Sequence, residues 1–118
     1  MPIETISDQP SHIHLVLHGN LDAAGVNEID LDFHARTAAL RKNAVIDIAE
    51  ADVVVSLAMG MLLGCAQSLA RHNKKMIIIN ATPLCAEAIR SMKVDKVITL
   101  CDSLDQAIEI IEQHTPAT

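Results

Sequence analysis

The stretch that most constrains this chain is Val53 to Leu63, VVVSLAMGMLL, where an apolar run passes through one serine, Ser56, into a segment with no charge until Arg71. Its valines read as β and its Leu, Ala and Met residues as helix, so Ser56 stands where the period changes. The 18 uncharged residues from Val53 to Ala70 approach the length of a membrane span. Ser56, Gln67 and Ser68 interrupt them, and the change from β to helix inside the run argues against a transmembrane helix.

A chain of 118 residues, about half of them apolar, predicts one domain over 1–118 that buries a single core without disulfides or a structural metal. The net charge is −6, no basic cluster is present, and Phe33 is the sole aromatic residue. Phosphate-backbone binding and base stacking therefore lack their usual groups, so neither nucleic acid nor an anionic membrane is an expected partner. Cys65, Cys85 and Cys101 share no CxxC spacing and the opening segment is mixed and acidic, which predicts a cytoplasmic location. No glycine-rich loop has the spacing of a nucleotide fingerprint, and no cofactor is expected.

Along the chain, Ile3 to Ser7 reads as a short strand before a turn at Gln9-Pro10. His12 to His18 alternates, with Ile13, Leu15 and Leu17 on one face and His12, His14, Val16 and His18 on a polar outer face. Gly19-Asn20 ends this strand and Asp22 begins a helix in which Val26, Ile29, Phe33 and Leu40 face inward, closing near Lys42-Asn43. Strands follow at Ala44 to Ala49, Lys75 to Asn80 and Val97 to Leu100. Thr82-Pro83 caps a helix running to about Met92, and Ser103 with Gln106 forms a capping box for a last helix that places Leu104, Ala107, Ile108 and Ile111 inward, with a frayed tail after Gln113. The order ββαβαβαβα predicts an α/β fold, a mixed β-sheet of about five strands with four α-helices.

On a helical wheel from Leu57 to His72, the residues Met59, Leu62, Leu63, Ala66, Leu69 and Ala70 gather on the core side. Gln67, Ser68, Arg71 and His72 mark the opposite face, which runs back toward Ser56 through Leu57, Gly60, Met61 and Gly64. Two glycines inside a helix cost roughly 1 kcal/mol each against alanine, so this outward apolar face needs a reason. Either a partner chain lies on it, or another part of the same chain covers it. Ser56 likewise has two readings: an N-cap that satisfies a free backbone N–H, or a hydroxyl that accepts a phosphoryl group at the positive end of the helix dipole.

Val45-Ile46-Asp47-Ile48-Ala49 followed by Val53 to Leu63 resembles the centre of the STAS family, the anti-sigma factor antagonists, whose pattern is a hydrophobic strand with Asp and then D-S-S/T-G-L-G-x-L-L. Gly19-Asn20-Leu21-Asp22-Ala23 is similar to its G-x-L-D-A segment, Asn80 with Pro83 to its N-x-x-P, and Asp102 to Ala107 to its closing D-S-L-x-x-A. The resemblance implies a STAS fold in a non-catalytic regulator that works by partner switching. It implies that Ser56 is phosphorylated by a protein serine kinase or anti-sigma factor and dephosphorylated by a PP2C-type phosphatase, with Asp22 beside it. The expected partner surface is Asp22, Val55, Leu57, Ala58, Gly60, Met61 and Gly64, on a monomer or weak dimer acting in sigma-factor release or in biofilm and exopolysaccharide control. Val55 stands for the family's Asp, Leu57 for its second Ser or Thr and Ala58 for its Gly, which makes this stretch more apolar than the family's.

Other chemistries are less well supported. His12 and His14 are about 7 Å apart along a strand, but no Cys or acidic partner is placed beside them by spacing, so a metal site is not expected. V-S-L-A-M-G departs from the G-x-S-x-G of a nucleophile elbow, so a serine hydrolase is not expected either.

Overall fold

The computed structural model describes residues 2–94 and 97–114. The strands are β1 (Ile3–Asp8), β2 (His12–Leu17), β3 (Asn43–Asp47), β4 (Met76–Ile79) and β5 (Ile98–Cys101). The helices are α1 (Ala23–Arg36), α2 (Ser56–Arg71), α3 (Pro83–Ser91) and α4 (Leu104–His114). Their order is the predicted ββαβαβαβα, and the sheet order is β1-β2-β3-β4-β5. β1 pairs antiparallel with β2, and every later neighbour pairs parallel.

Three successive parallel crossovers step across the sheet in one direction, and the common handedness of such connections accounts for α1, α2 and α3 sharing one face. The main core fills that side, from Ile13, Leu15 and Leu17 of β2 through Ile46 and Ile78 to Phe33, Leu62 and Ile89 of the helices. α4 covers the other face, where Ala107 and Ile111 pack on Val45, Ile77 and Ile79. β4 is therefore buried at all four residues, as its unbroken MIII run implies.

The burial of β2 differs from the expectation of one polar face. His12 and His14 do not form a solvated outer face; they are 7% and 8% exposed. Burial holds both imidazoles below their ordinary pKa, while at His14 the Asp47 carboxylate pulls back part of the shift and His12 adds to it. The Nε2 atom of His14 is buried without a hydrogen-bond partner among the described residues. His18, at the exposed end, does the opposite: Glu4 and then Glu50 hydrogen-bond to its two ring nitrogens and raise its pKa.

α1 stops at Arg36, well short of Lys42, and Leu40 is exposed rather than inward. The cause is local: the buried Thr37 hydroxyl donates back to Phe33 O at 2.7 Å, its backbone leaves helical angles, and the chain reverses through turns with Arg41 at φ 54°. The starts of α1, α3 and α4 follow their caps. Asp22 Oδ1 accepts from Gly25 N at 2.8 Å, and Thr82 Oγ1 from Cys85 N at 3.4 Å. Ser103 Oγ accepts from Gln106 N at 3.2 Å, while Gln106 reaches back one residue further than a standard capping box, to Asp102 N at 2.9 Å. The expected frayed tail lies, from residue 115 on, outside the described residues.

Candidate functional site

Parallel strands all deliver their carboxyl ends, and the helix N-termini that follow, to one rim of the sheet, the usual place for a site in an α/β fold. Here the loop from Ile48 to Val55 is fixed to that rim from several sides. Leu21 N donates to Val53 O at 3.1 Å and Val55 N to Leu21 O at 2.9 Å, a small parallel bridge between the entries of α1 and α2. Asp52 N donates to Asn20 Oδ1 at 2.7 Å, and Thr82 Oγ1 donates to Ala51 O at 3.4 Å. Asp47 closes the base, accepting from Ala49 N at 2.9 Å and from Asn80 Nδ2 at 3.0 Å. Asp22 and Ser56, thirty-four positions apart, thus open neighbouring helices on a braced platform.

Gly25 is part of this brace. A Cβ there would meet Asn20 O at 2.3 Å, so only glycine allows α1 to pass so close to the 19–22 turn. Neither composition nor the family motif singles out this residue. The signal was its place three residues after Asp22, where the capped N–H lies.

Ser56 is not the N-cap. Val55 takes that position in extended conformation, φ −86° and ψ 167°, and has no side-chain oxygen to offer. Ser56 is the first helical residue, exposed, and its hydroxyl has no hydrogen-bond partner among the described residues. The amides of Ser56, Leu57 and Ala58 are likewise without partners there, since the first bond of α2 is Met59 N to Val55 O at 3.0 Å. α1, α3 and α4 each have a side-chain cap; α2 alone among the described helices does not.

The predicted partner residues separate into two groups. Leu57 is 52% exposed, and beyond the local backbone of α2 itself nothing lies within 4 Å of where a Cβ on Gly60 or Gly64 would stand, so no other described part of the chain covers those two positions. Met61 and Ala58, by contrast, are 6% and 0% exposed and belong to the core, which corrects their assignment to the outward surface. The wheel places Met61 beside Leu57, but α1 packs along that flank: Ala58, Met61 and Cys65 form one stripe, and the Cys65 thiol lies 3.4 Å from His34 Nδ1 of α1. At the far border Ala70 is exposed and Leu63 only half-buried, although both were expected in the core.

Sequence reasoning missed the contribution of α3. Leu84, 64% exposed, and Val53, 39% exposed, line an open groove of about 530 Å³ with Val54, Val55, Glu87 and Ala88, directly before Ser56. The groove contains no Lys or Arg and one carboxylate.

Catalytic arrangements fare poorly by the same geometry. His34 sits between Asp30, 3.6 Å away, and Cys65, which has the order of a thiol triad. Burial pushes the Cys65 thiol up and leaves it no access to substrate, so it is a packed thiol and not a nucleophile. Among the described residues no cluster of three or more His, Cys, Asp or Glu side chains is placed to hold a metal ion, and no helix is long and apolar enough to cross a membrane.

Comparison with known proteins agrees with this architecture. A search of curated proteins finds no match to the chain. Among solved structures it is similar to an anti-sigma-factor antagonist (STAS) domain protein from Planctomyces limnophilus, with TM-score 0.80 and 15% identity over 93% of this chain and 97% of that one. It is similar to an anti-sigma factor antagonist from Mycobacterium paratuberculosis, with TM-score 0.78 and 19% identity over 93% and 94%. It also resembles the anti-sigma factor antagonist SpoIIAA in its unphosphorylated form, with TM-score 0.73 and 13% identity over 97% and 99%. At these identities the likeness speaks for the fold. The STAS domain profile itself matches residues 5–107, and the chain belongs to the STAS domain family.

Proposed function

We propose that this chain is a non-catalytic phospho-switch in partner-switching regulation. Unphosphorylated, it engages a protein target through Val53, Leu57, Leu84 and the bare Gly60-Gly64 face, with Asp22 and Val55 at the border. A serine kinase, which is either the target itself or an anti-sigma factor, phosphorylates Ser56 and the complex dissociates; a PP2C-type phosphatase restores it. The location consistent with this role is the cytoplasm.

The observation that carries the reading is the exposed Ser56 hydroxyl, without a partner among the described residues, at the first position of the one described helix that lacks a side-chain cap, set among exposed apolar side chains. A phosphoryl group adds about −1.5 to −2 charge. The fold tolerates it, because the partnerless amides of α2 and its dipole favour an anion at that end. A partner packed on Leu57 and Leu84 does not, because the dianion would have to be stripped of water against apolar surface beside Glu87. The similarity to SpoIIAA, described in its unphosphorylated form, supports the same reading.

Mapping of phosphate on the protein recovered from its host cells tests the site, and pull-down with Ser56→Ala and Ser56→Asp tests the switch. The expected result is phosphate on Ser56, capture of a target by Ser56→Ala and loss of that capture by Ser56→Asp. Equal capture by both variants would leave a constitutive STAS scaffold.

A further inference from the structure

The two edges of the sheet are finished differently. On β1 the pairing is broken by a bulge between Thr5 and Ser7, the Arg36 guanidinium donates to Thr5 Oγ1 at 3.1 Å and to Ile3 O at 3.5 Å, and Lys42 pairs with Asp8 at 2.6 Å. Bulges and charges of this kind keep other strands off an edge. β5 has neither a bulge nor a charged residue within the strand itself: it pairs with β4 in unbroken register from Ile98 to Cys101 and, among the described residues, has no strand on its other side. Ile98 N bonds Val94 O at 2.9 Å, so it points away from β4. Alternate residues of a strand direct their backbone groups to opposite sides, so Leu100 turns its N–H and C=O to the open edge as well.

Beside this edge an open groove of about 450 Å³ runs between α3 and β5, floored by Ile98 and Leu100 and flanked by Arg90, Lys93 and Val94. It continues along α3 toward Pro83 and ends at Asp102. Arg90 and Lys93 are exposed, and neither side chain has a hydrogen-bond or ion-pair partner among the described residues, in a chain of net charge −6. The face of Ile98 and Leu100 is the helix-covered one, so a strand laid on β5 would turn every second side chain toward these two cations.

We propose that the β5 edge receives an extended acidic segment of a partner protein as an added strand, its carboxylates lying against Arg90 and Lys93. Main-chain hydrogen bonds to Leu100 supply the docking, and the cations select an acidic side chain at alternate positions. Asp102 sets the limit at the other end, where a further carboxylate is repelled. This surface is separate from Ser56, on the opposite border of α3 from the Leu84 groove, and does not depend on the phospho-switch.

The test uses a capped octapeptide of alternating glutamate and valine, titrated against the full chain and followed by amide chemical shifts and hydrogen exchange. The expected result is binding with shifts along β5 and slowed exchange at Leu100 N–H, weakened about tenfold or more in Arg90→Glu/Lys93→Glu, whose exposed sites leave folding intact. The same peptide N-methylated at alternate residues keeps its charge but loses the ladder bonds, and is expected not to bind. Equal binding of the methylated peptide, equal binding of a lysine-valine peptide, shifts on β1 instead of β5, or no binding at all would each overturn the proposal. So would a self-associated chain that the charge reversal dissolves, which would make a second copy the occupant.

Discussion

The two flanks of α2 carry similar residues and have opposite fates. Ala58, Met61 and Cys65 are buried on the flank where Cys65 meets His34 of α1, while Leu57, Gly60 and Gly64 are exposed. Apolarity alone does not distinguish the flanks; the position of α1 does. The first flank is a structural seam, and the second is an open surface, the one proposed above to receive a partner. Substitutions on the two sides should therefore differ in sign.

The largest effect is expected at Met61. Met61→Ala deletes a buried side chain and should cost about 2–5 kcal/mol, read as a lower urea midpoint at unchanged slope; a loss no larger than that of a surface substitution would place Met61 on the open flank after all. Gly25→Ala should come next, at about 1–3 kcal/mol, because the new methyl meets Asn20 O and must move the turn that holds Asp52 N. Loss of protection at the Asp52 amide would accompany it.

Gly60→Ala should have the reverse sign. With open space around the new methyl and helical backbone, it should stabilise the isolated protein by up to about 1 kcal/mol, while weakening target binding. A destabilised Gly60→Ala would show that the flank is covered.

The smallest expected effect is in the pH dependence. Burial lowers the folded pKa of His12 and His14 from 6.5, so their contribution is fully present above pH 6.5 and is lost as pH falls through that value toward the lower folded ones. His18 is raised and exposed, so its weaker contribution has the opposite sense, present below 6.5 and lost as pH rises through its higher folded value. His14→Leu should flatten the decline of stability below pH 6.5, and an unchanged decline would remove His14 from the account.

The element order and the mixed sheet were legible because the period of the apolar residues changes cleanly from two to 3.6 and Thr82-Pro83 and Ser103 mark real caps. The buried histidines were not, because alternation in β2 reports one apolar face and says nothing of whether the other is also covered in the fold. At the site, the resemblance pointed to the loop before α2 and to Asp22, which the fold brings to one rim, but a one-residue shift in the start of α2 changes the meaning of Ser56. As an N-cap its oxygen would be occupied by an amide; as the first helical residue it is free, and Val55 leaves the amides free with it. Leu84 and Val53 joined the site only in three dimensions, since a crossover separates them in sequence.

The central claim is that charge on Ser56 decides whether the open flank is occupied. Calorimetric titration of a captured target with unphosphorylated and with Ser56-phosphorylated protein measures this directly. The account predicts at least about a hundredfold weaker binding of the phosphorylated form, the cost of burying its dianion against Leu57 and Leu84. Equal affinities for the two forms would contradict it.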